Sequence, residues 1–60
     1  MRVMKLKEVI NTTGLSRSSI YAYMSKGKFP KPIQLGPRAV GWIEEEVREW
    51  LQERLNARVY

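Results

Sequence analysis

The stretch LKEVINTTGLSRSSIYAYMSKG, residues 6–27, decides the fold of this chain. In its first half, Leu6, Val9 and Ile10 stand at i, i+3 and i+4, which is the spacing of one apolar face of a short helix. This helix should stop at Thr12-Thr13-Gly14, because glycine readily adopts the left-handed conformation that closes a helix C-terminus. The sequence therefore predicts a short first helix followed by a tight turn.

A second helix follows the turn. Ser16 can cap it by accepting a hydrogen bond from the backbone amide near Ser19. We therefore expect a helix over about residues 17–26 that ends at Gly27.

The two faces of this second helix differ in character. With Ile20 as the inward direction, Tyr23 and Met24 fall on the same side within one turn, and we assign them to the core. The outward face is small and polar with one aromatic hydroxyl, and it consists of Ser18, Tyr21, Ala22 and Ser25. A face of this kind allows another molecule to approach closely.

The remaining segments predict a stiff connector, a β-hairpin and a third helix. Two prolines favour extended backbone in Phe29-Pro30-Lys31-Pro32. Apolar-polar-apolar runs at residues 33–35 and 40–42 flank Gly36-Pro37-Arg38-Ala39, which predicts a hairpin, and residues 2–4 can add a short edge strand. After the hairpin the apolar residues return to helical spacing in one stripe, which consists of Ile43, Val47, Trp50, Leu51 and Leu55.

Size and composition set the class of protein. Sixty residues allow one domain, covering residues 1–60, with a small core. Residues 1–43 carry eight Lys or Arg against one Glu, a net charge of +7, whereas residues 44–60 carry a net charge of −2. Such segregation is typical of a surface that approaches a polyanion. Since the chain has no Cys, no His and no apolar run long enough to span a bilayer, we expect no disulfide, metal or other cofactor, no membrane segment and a cytoplasmic location.

Two helices joined by a short turn that contains glycine form a helix-turn-helix motif, whose second helix enters the major groove of double-stranded DNA. The predicted fold is therefore mainly α with a small β-hairpin, a winged helix-turn-helix in the order helix, turn, helix, hairpin, helix. Arg17 can reach a base edge or a phosphate, and Arg38 at the hairpin tip can enter a minor groove or bind a phosphate. The predicted DNA-binding residues are Arg17, Ser18, Ser19, Tyr21, Ala22, Ser25, Lys26, Lys28 and Arg38.

Several of these residues also have a plain structural interpretation. The Ser16 hydroxyl suits a phosphate, but capping of the helix is the simpler role. Tyr21 can equally cover the edge of the core, the lysines can be ordinary solvated charges, and Arg38 can be an ordinary exposed turn residue. Trp42 and Trp50 would serve as stacking platforms for single-stranded nucleic acid only if exposed, and their positions in the inward pattern assign both to the core.

Taken together, five segments resemble the AlpA family of prophage regulators: LKEV (6–9), TGLSRSSIY (13–21), FPKPI (29–33), LGPRAVGW (35–42) and EVREWL (46–51). The likeness runs from about Leu6 to Arg54. It implies a fold of the wider MerR-like and excisionase-like winged helix group, with a hairpin wing packed on a C-terminal helix. It also implies a phage or prophage transcriptional regulator whose DNA contacts would be Arg17, Ser18, Ser19, Tyr21 and Arg38.

Other functions remain open at this point. The relatives implied by the resemblance include excisionases, which bend attachment-site DNA during recombination. The third helix carries Glu45, Glu49 and Glu53 at i, i+4 and i+8, a stripe that an adaptor for an integrase or a packaging enzyme would use, although a solvated face explains it as well. An enzyme is not expected, because the chain lacks His, Cys and Asp. A single module of this size binds DNA weakly, so we expect a homodimer or a cooperative oligomer on DNA.

Overall fold

Six elements make up the structure, a computed structural model that describes residues 1–58. They are β1 (Val3–Met4), α1 (Leu6–Thr13), α2 (Arg17–Ser25), β2 (Ile33–Gly36), β3 (Ala39–Ile43) and α3 (Glu44–Asn56). The predicted order of helix, turn, helix, hairpin and helix is confirmed, and β1 is the short edge strand expected at the N-terminal end. The architecture is that of a winged helix-turn-helix.

The turn between α1 and α2 is closed by Gly14, as the sequence predicts. Gly14 has φ 75°, in the left-handed region, and its amide donates to the carbonyl of Ile10 at 2.9 Å. The helix ends at Thr13, within the predicted stop, and the Thr13 hydroxyl donates to the carbonyl of Val9 at 2.7 Å. Three residues then lead into α2.

Both ends of α2 have identifiable caps. Ser16 lies in extended conformation, and its hydroxyl oxygen accepts the Ser19 amide at 3.1 Å, which confirms the predicted N-cap. At the other end Gly27 has φ 70°, its amide donates to Met24, and the Lys28 amide donates to the carbonyl of Tyr23 at 2.8 Å. This pair of bonds is a Schellman motif, and it ends α2 one residue earlier than expected.

The three strands form one antiparallel sheet in the order β1-β3-β2. Met4 lies opposite Trp42, and Ile33 lies opposite Gly41. The register shifts at Leu35, which forms a bulge just before the hairpin turn. A side chain at Gly41 has no room, because an added Cβ would lie 2.3 Å from Cγ1 of Val3.

The core lies between the helices and the inner face of the sheet. Its buried side chains are Met4, Val9, Ile20, Phe29, Trp42 and Val47. Tyr23, Met24 and Trp50 are half-buried and pack against this cluster. The predicted apolar stripe of α3 is only partly used, since Leu55 is 48% exposed. The predicted stripe is present, but the sheet and the other helices do not cover its C-terminal end within residues 1–58.

Candidate nucleic-acid interface

The outward face of α2 is the centre of the candidate interface. Ile20 is completely buried on the inner side of the helix, which fixes its rotation. As a result Ser18, Ala22 and Ser25 are exposed, as the helical spacing predicts, and Tyr21 is 39% exposed. This face consists of small side chains, so a flat or grooved surface can approach the helix backbone closely.

Arg17 and Tyr21 form one unit on this face. They stand at i and i+4 of α2, and the Arg17 guanidinium lies over the Tyr21 ring, 5.8 Å from its centroid. A cation at this distance from an aromatic face is attracted by the ring quadrupole. Tyr21 therefore helps to hold Arg17 in place, whether or not the phenol itself contacts a ligand.

The serines at the start of α2 act together as a cap. The Ser16 hydroxyl accepts the Ser19 amide and donates to the Ser19 hydroxyl oxygen at 3.0 Å. Ser19 is half-buried, whereas Ser18 between them is exposed. The positive end of the helix dipole lies at these residues, so an anion that approaches the face meets a favourable field there.

Two tryptophans hold the connector between α2 and β2. The indole N–H of Trp50 donates to the carbonyl of Lys28 at 2.7 Å, and that of Trp42 donates to the carbonyl of Pro30 at 3.0 Å. Between these two anchors Phe29 is buried and meets Trp50 edge-on, with ring centroids 4.9 Å apart. The backbone that carries Lys28 and Lys31 is thereby fixed to the core.

Sequence reasoning assigned the tryptophans to the core and missed this positioning role. Trp42 is fully buried and Trp50 half-buried, so neither offers a free ring for stacking. The chemistry of the residues could have indicated this role. A buried indole N–H needs an acceptor, and a connector with two prolines has carbonyls that no helix or strand uses.

Arg38 stands apart from α2, at the tip of the hairpin. It is exposed, and with Pro37 it forms the turn between Gly36 and Ala39, which lie opposite each other in the ladder. The short turn and the rigid ring of Pro37 limit the positions that the Arg38 backbone can adopt. The structure thus groups the predicted residues of α2 with Lys26 and Lys28 at its C-terminal cap, and presents Arg38 on a separate element.

The ion pairs of the described residues leave most of the basic charge free. Arg2 pairs with Glu8 and, at 2.8 Å, with Glu44, and Arg48 lies 3.6 Å from Glu44. Hydrogen bonds to the two glutamates raise the pKa of the Arg2 guanidinium, and the hydrogen bond from Arg2 lowers the pKa of the Glu8 carboxyl. Arg2 therefore joins β1 to α1 and α3 and adds little to the free charge. In residues 1–43 the cations outside any ion pair are Lys5, Lys7, Arg17, Lys26, Lys28, Lys31 and Arg38.

Glutamates of α3 border an open groove of about 560 Å³ between α3 and the connector, and Lys28 and Lys31 line the connector side of the same groove. Glu46, Glu49 and Glu53 line the groove together with Trp50. Glu49 and Glu53 of the stripe predicted for an adaptor thus line this groove, and Glu45 is not among its lining residues.

Comparison with known proteins places the chain in a family. The model for the family described as "Prophage CP4-57 regulatory protein (AlpA)" matches residues 2–55. The chain belongs to the AlpA family.

Two relatives of this AlpA-family chain are each 40% identical to it. One is named "DNA-binding transcriptional activator AlpA" of Escherichia coli (strain K12), and the match covers 90% of this chain and 86% of that protein. The other is "Uncharacterized protein ORF88" of Enterobacteria phage P4, where the match covers 95% of this chain but only 65% of the phage protein. This chain thus spans about two thirds of the length of the phage relative.

The three helices of this AlpA-family member are short. Within residues 1–58 none of them is long and apolar enough to cross a lipid bilayer.

Proposed function

We propose that this AlpA-family chain binds double-stranded DNA sequence-specifically through α2 and regulates transcription of phage or prophage genes. The observation that carries the proposal is the outward face of α2, where exposed small side chains are flanked by cations that form no ion pair with a described glutamate. The name of the Escherichia coli relative supports the same function.

In this proposal the parts of the interface have different tasks. Ser18, Ala22 and Ser25 let the backbone of α2 approach the floor of the major groove, where base edges are read. Arg17, which Tyr21 helps to position, contacts a base edge or a phosphate at the N-terminal end. Polar contacts to the phosphates fix the register of the protein on the duplex.

In this proposal, residues at the two ends of α2 and at the hairpin tip bind the phosphates. Lys26 and Lys28 follow the helix on backbone that the Schellman motif and Trp50 hold in place. Ser19 contributes at the positive end of the helix dipole. Arg38 reaches the backbone or the minor groove from the tip of the hairpin. Since each of these contacts neutralises or binds phosphate, affinity should depend strongly on salt.

More than one copy is required for tight binding. A single module of this kind buries only about 600–1,000 Å² of protein surface on DNA. We therefore include in the proposal a homodimer or a cooperative assembly on neighbouring sites, in the cytoplasm where the DNA is.

The test is a fluorescence anisotropy titration of the purified chain with labelled duplexes from the region around its own gene and any neighbouring integrase gene, over a series of salt concentrations. Affinity should fall with added salt by a log-log slope of about −0.9 per phosphate neutralised. Arg17→Ala should weaken binding to the preferred duplex, and Arg38→Ala should weaken binding to every duplex. Arg48→Ala is the matched control and is measured on a duplex with a single site, because this exposed arginine of α3 lies outside the proposed DNA-binding surface.

The Arg17 and Tyr21 pair gives a second, sharper readout. If Tyr21 positions Arg17, the losses from Tyr21→Ala and Arg17→Ala should be non-additive in the double variant. Unchanged affinity in both Arg17→Ala and Arg38→Ala, or no binding of the wild-type chain to duplex DNA at low salt, would refute the proposed surface.

A further inference from the structure

The C-terminal half of α3 carries apolar surface that the fold does not use. Leu51 is half-buried and Leu55 is 48% exposed, although they stand at i and i+4 on one side of the helix. Together with Arg48 and Gln52 they line a shallow depression of about 470 Å³, which we call the leucine face. Nothing in the proposed DNA-binding surface involves these residues.

In this part of α3 the Arg54 guanidinium lies over the Tyr23 and Trp50 rings, but Leu51 and Leu55 are not among the described residues that pack against the core. Trp50 is the last residue of the helix that packs against the core, and residues 52–58 are all exposed. A helix end that is exposed to water needs only polar residues. The two neighbouring leucines therefore indicate a surface that another molecule covers.

We propose that the leucine face binds a second copy of this chain, with the two α3 helices packed side by side and antiparallel. The charge pattern of α3 selects this occupant and this direction. Its first turn carries Glu44, Glu45 and Glu46, its last turn carries Arg54, and Arg58 follows the helix two residues after its end at Asn56. An antiparallel pair brings the acidic start of each helix against the basic end of the other, whereas a parallel pair would place like charges together.

One register of the antiparallel pair brings opposite charges together and also places the leucines in contact. Pairing Glu45 with Arg58 of the second copy puts the two-fold axis between Leu51 and Gln52. Glu45 then lies about 10 Å from the axis along α3, at 1.5 Å per residue, and Arg58 of the second copy lies just beyond the end of its own helix. Leu51 meets its own counterpart near the axis, and Leu55 packs against the aliphatic stem of Arg48 of the second copy.

The contact is small. It spans about two turns of helix on each copy, well short of the 1,200–2,000 Å² that stable interfaces bury. The dimer should therefore be weak in free solution and become populated when two copies are held close together. This deepens the proposed function, because duplex DNA with two sites would bring the copies together.

Sedimentation equilibrium on the chain without DNA, up to millimolar concentration, tests the dimer directly. The wild-type chain should show a reversible monomer-dimer equilibrium. Leu55→Glu should raise the dimer Kd at least about tenfold, because it places a charge in the apolar contact of both copies. Asn56→Glu is the matched control, since it adds the same charge one residue further on, outside the leucine face, and should leave the Kd within about twofold.

Charge reversal tests the direction of the pair with residues that are exposed and tolerate substitution. Glu45→Arg and Arg58→Glu should each weaken the dimer, and the double variant should recover most of the wild-type affinity. A chain that stays monomeric at all concentrations, or a double variant weaker than either single variant, overturns the proposal. So does a Leu55→Glu variant that melts well below wild type, because Leu55 would then be covered within one chain.

A single-site duplex separates this proposal from the proposed function. Leu55→Glu should bind a single-site duplex as tightly as wild type and lose affinity only for a duplex with two sites. If the wild-type chain dimerises but binds no duplex, the proposed function fails while the leucine face stands.

Discussion

Gly41→Ala should destabilise the fold, and the size of the effect follows from the packing around β3. An added Cβ at this position would lie 2.3 Å from Cγ1 of Val3, 3.0 Å from Cδ1 of Leu35 and 3.3 Å from the backbone carbonyl of Met4. Val3 and Met4 form the edge strand, so the clash must either displace β1 from β3 or push the side chains of Val3 and Leu35 aside. Overpacking of this kind lowers the free energy of unfolding by about 1–3 kcal/mol. Alanine also restricts the unfolded chain more than glycine does, which offsets about 0.4–1 kcal/mol of that loss.

The resulting loss of about 1–2 kcal/mol corresponds to a fall in Tm of roughly 5–15 °C for a domain of this size. Thermal unfolding followed by circular dichroism measures it. Gly36→Ala in the same hairpin is the control, because its added Cβ meets only the Cβ of Ala39 at 4.0 Å. Val3→Ala removes the atom in the closest contact, so the Val3→Ala/Gly41→Ala variant should be more stable than the sum of the single effects predicts. Equal Tm values for Gly41→Ala and Gly36→Ala would refute this account of the packing.

Three further substitutions test the cap, the connector and the N-terminal ion pair. Ser16→Ala removes the acceptor of the Ser19 amide and should lower the free energy of unfolding by about 1 kcal/mol in urea denaturation, whereas Ser18→Ala should leave it nearly unchanged. Trp50→Phe keeps an aromatic ring but loses the bond to the Lys28 carbonyl, so stability should fall by about 0.5–1.5 kcal/mol, and an unchanged urea midpoint would count against an anchored connector. The lowered pKa of Glu8 means that its ion pair stabilises the fold above the pKa of unfolded Glu8 and is lost as the pH falls through the lower folded value. Tm should therefore fall less in Glu8→Gln than in wild type between neutral pH and about pH 3, and identical acid profiles would contradict the pairing with Arg2.

The elements that depend on local chemistry were predictable from the sequence. A glycine that must adopt positive φ, a serine one residue before a helix and apolar residues at helical spacing are all visible without a structure. Gly14, Ser16 and Ile20 therefore gave the turn, the start and the rotation of α2 correctly. The hairpin was equally visible, because its turn residues lie between two short alternating runs.

The contacts that could not be predicted from the sequence join residues far apart in the chain. The bond from Trp50 to Lys28 joins residues 22 apart, and that from Arg2 to Glu44 joins residues 42 apart. Periodicity reports that a side chain faces inward, but it does not report which backbone carbonyl or charge it will meet. The same limit applies at Leu55, since the spacing predicts an apolar stripe without showing where the rest of the fold stops covering it.

The separation of the two proposed surfaces has a thermodynamic consequence. The DNA-binding surface lies on α2, its cap and the hairpin tip, and the leucine face lies on the C-terminal half of α3, so no residue is common to both. Self-association then has no direct means of changing the affinity of one copy for one site. Cooperativity must arise only because two copies bound to neighbouring sites have a high effective concentration for each other. A weak dimer contact is enough under these conditions, and it lets the spacing between DNA sites decide where two copies bind together.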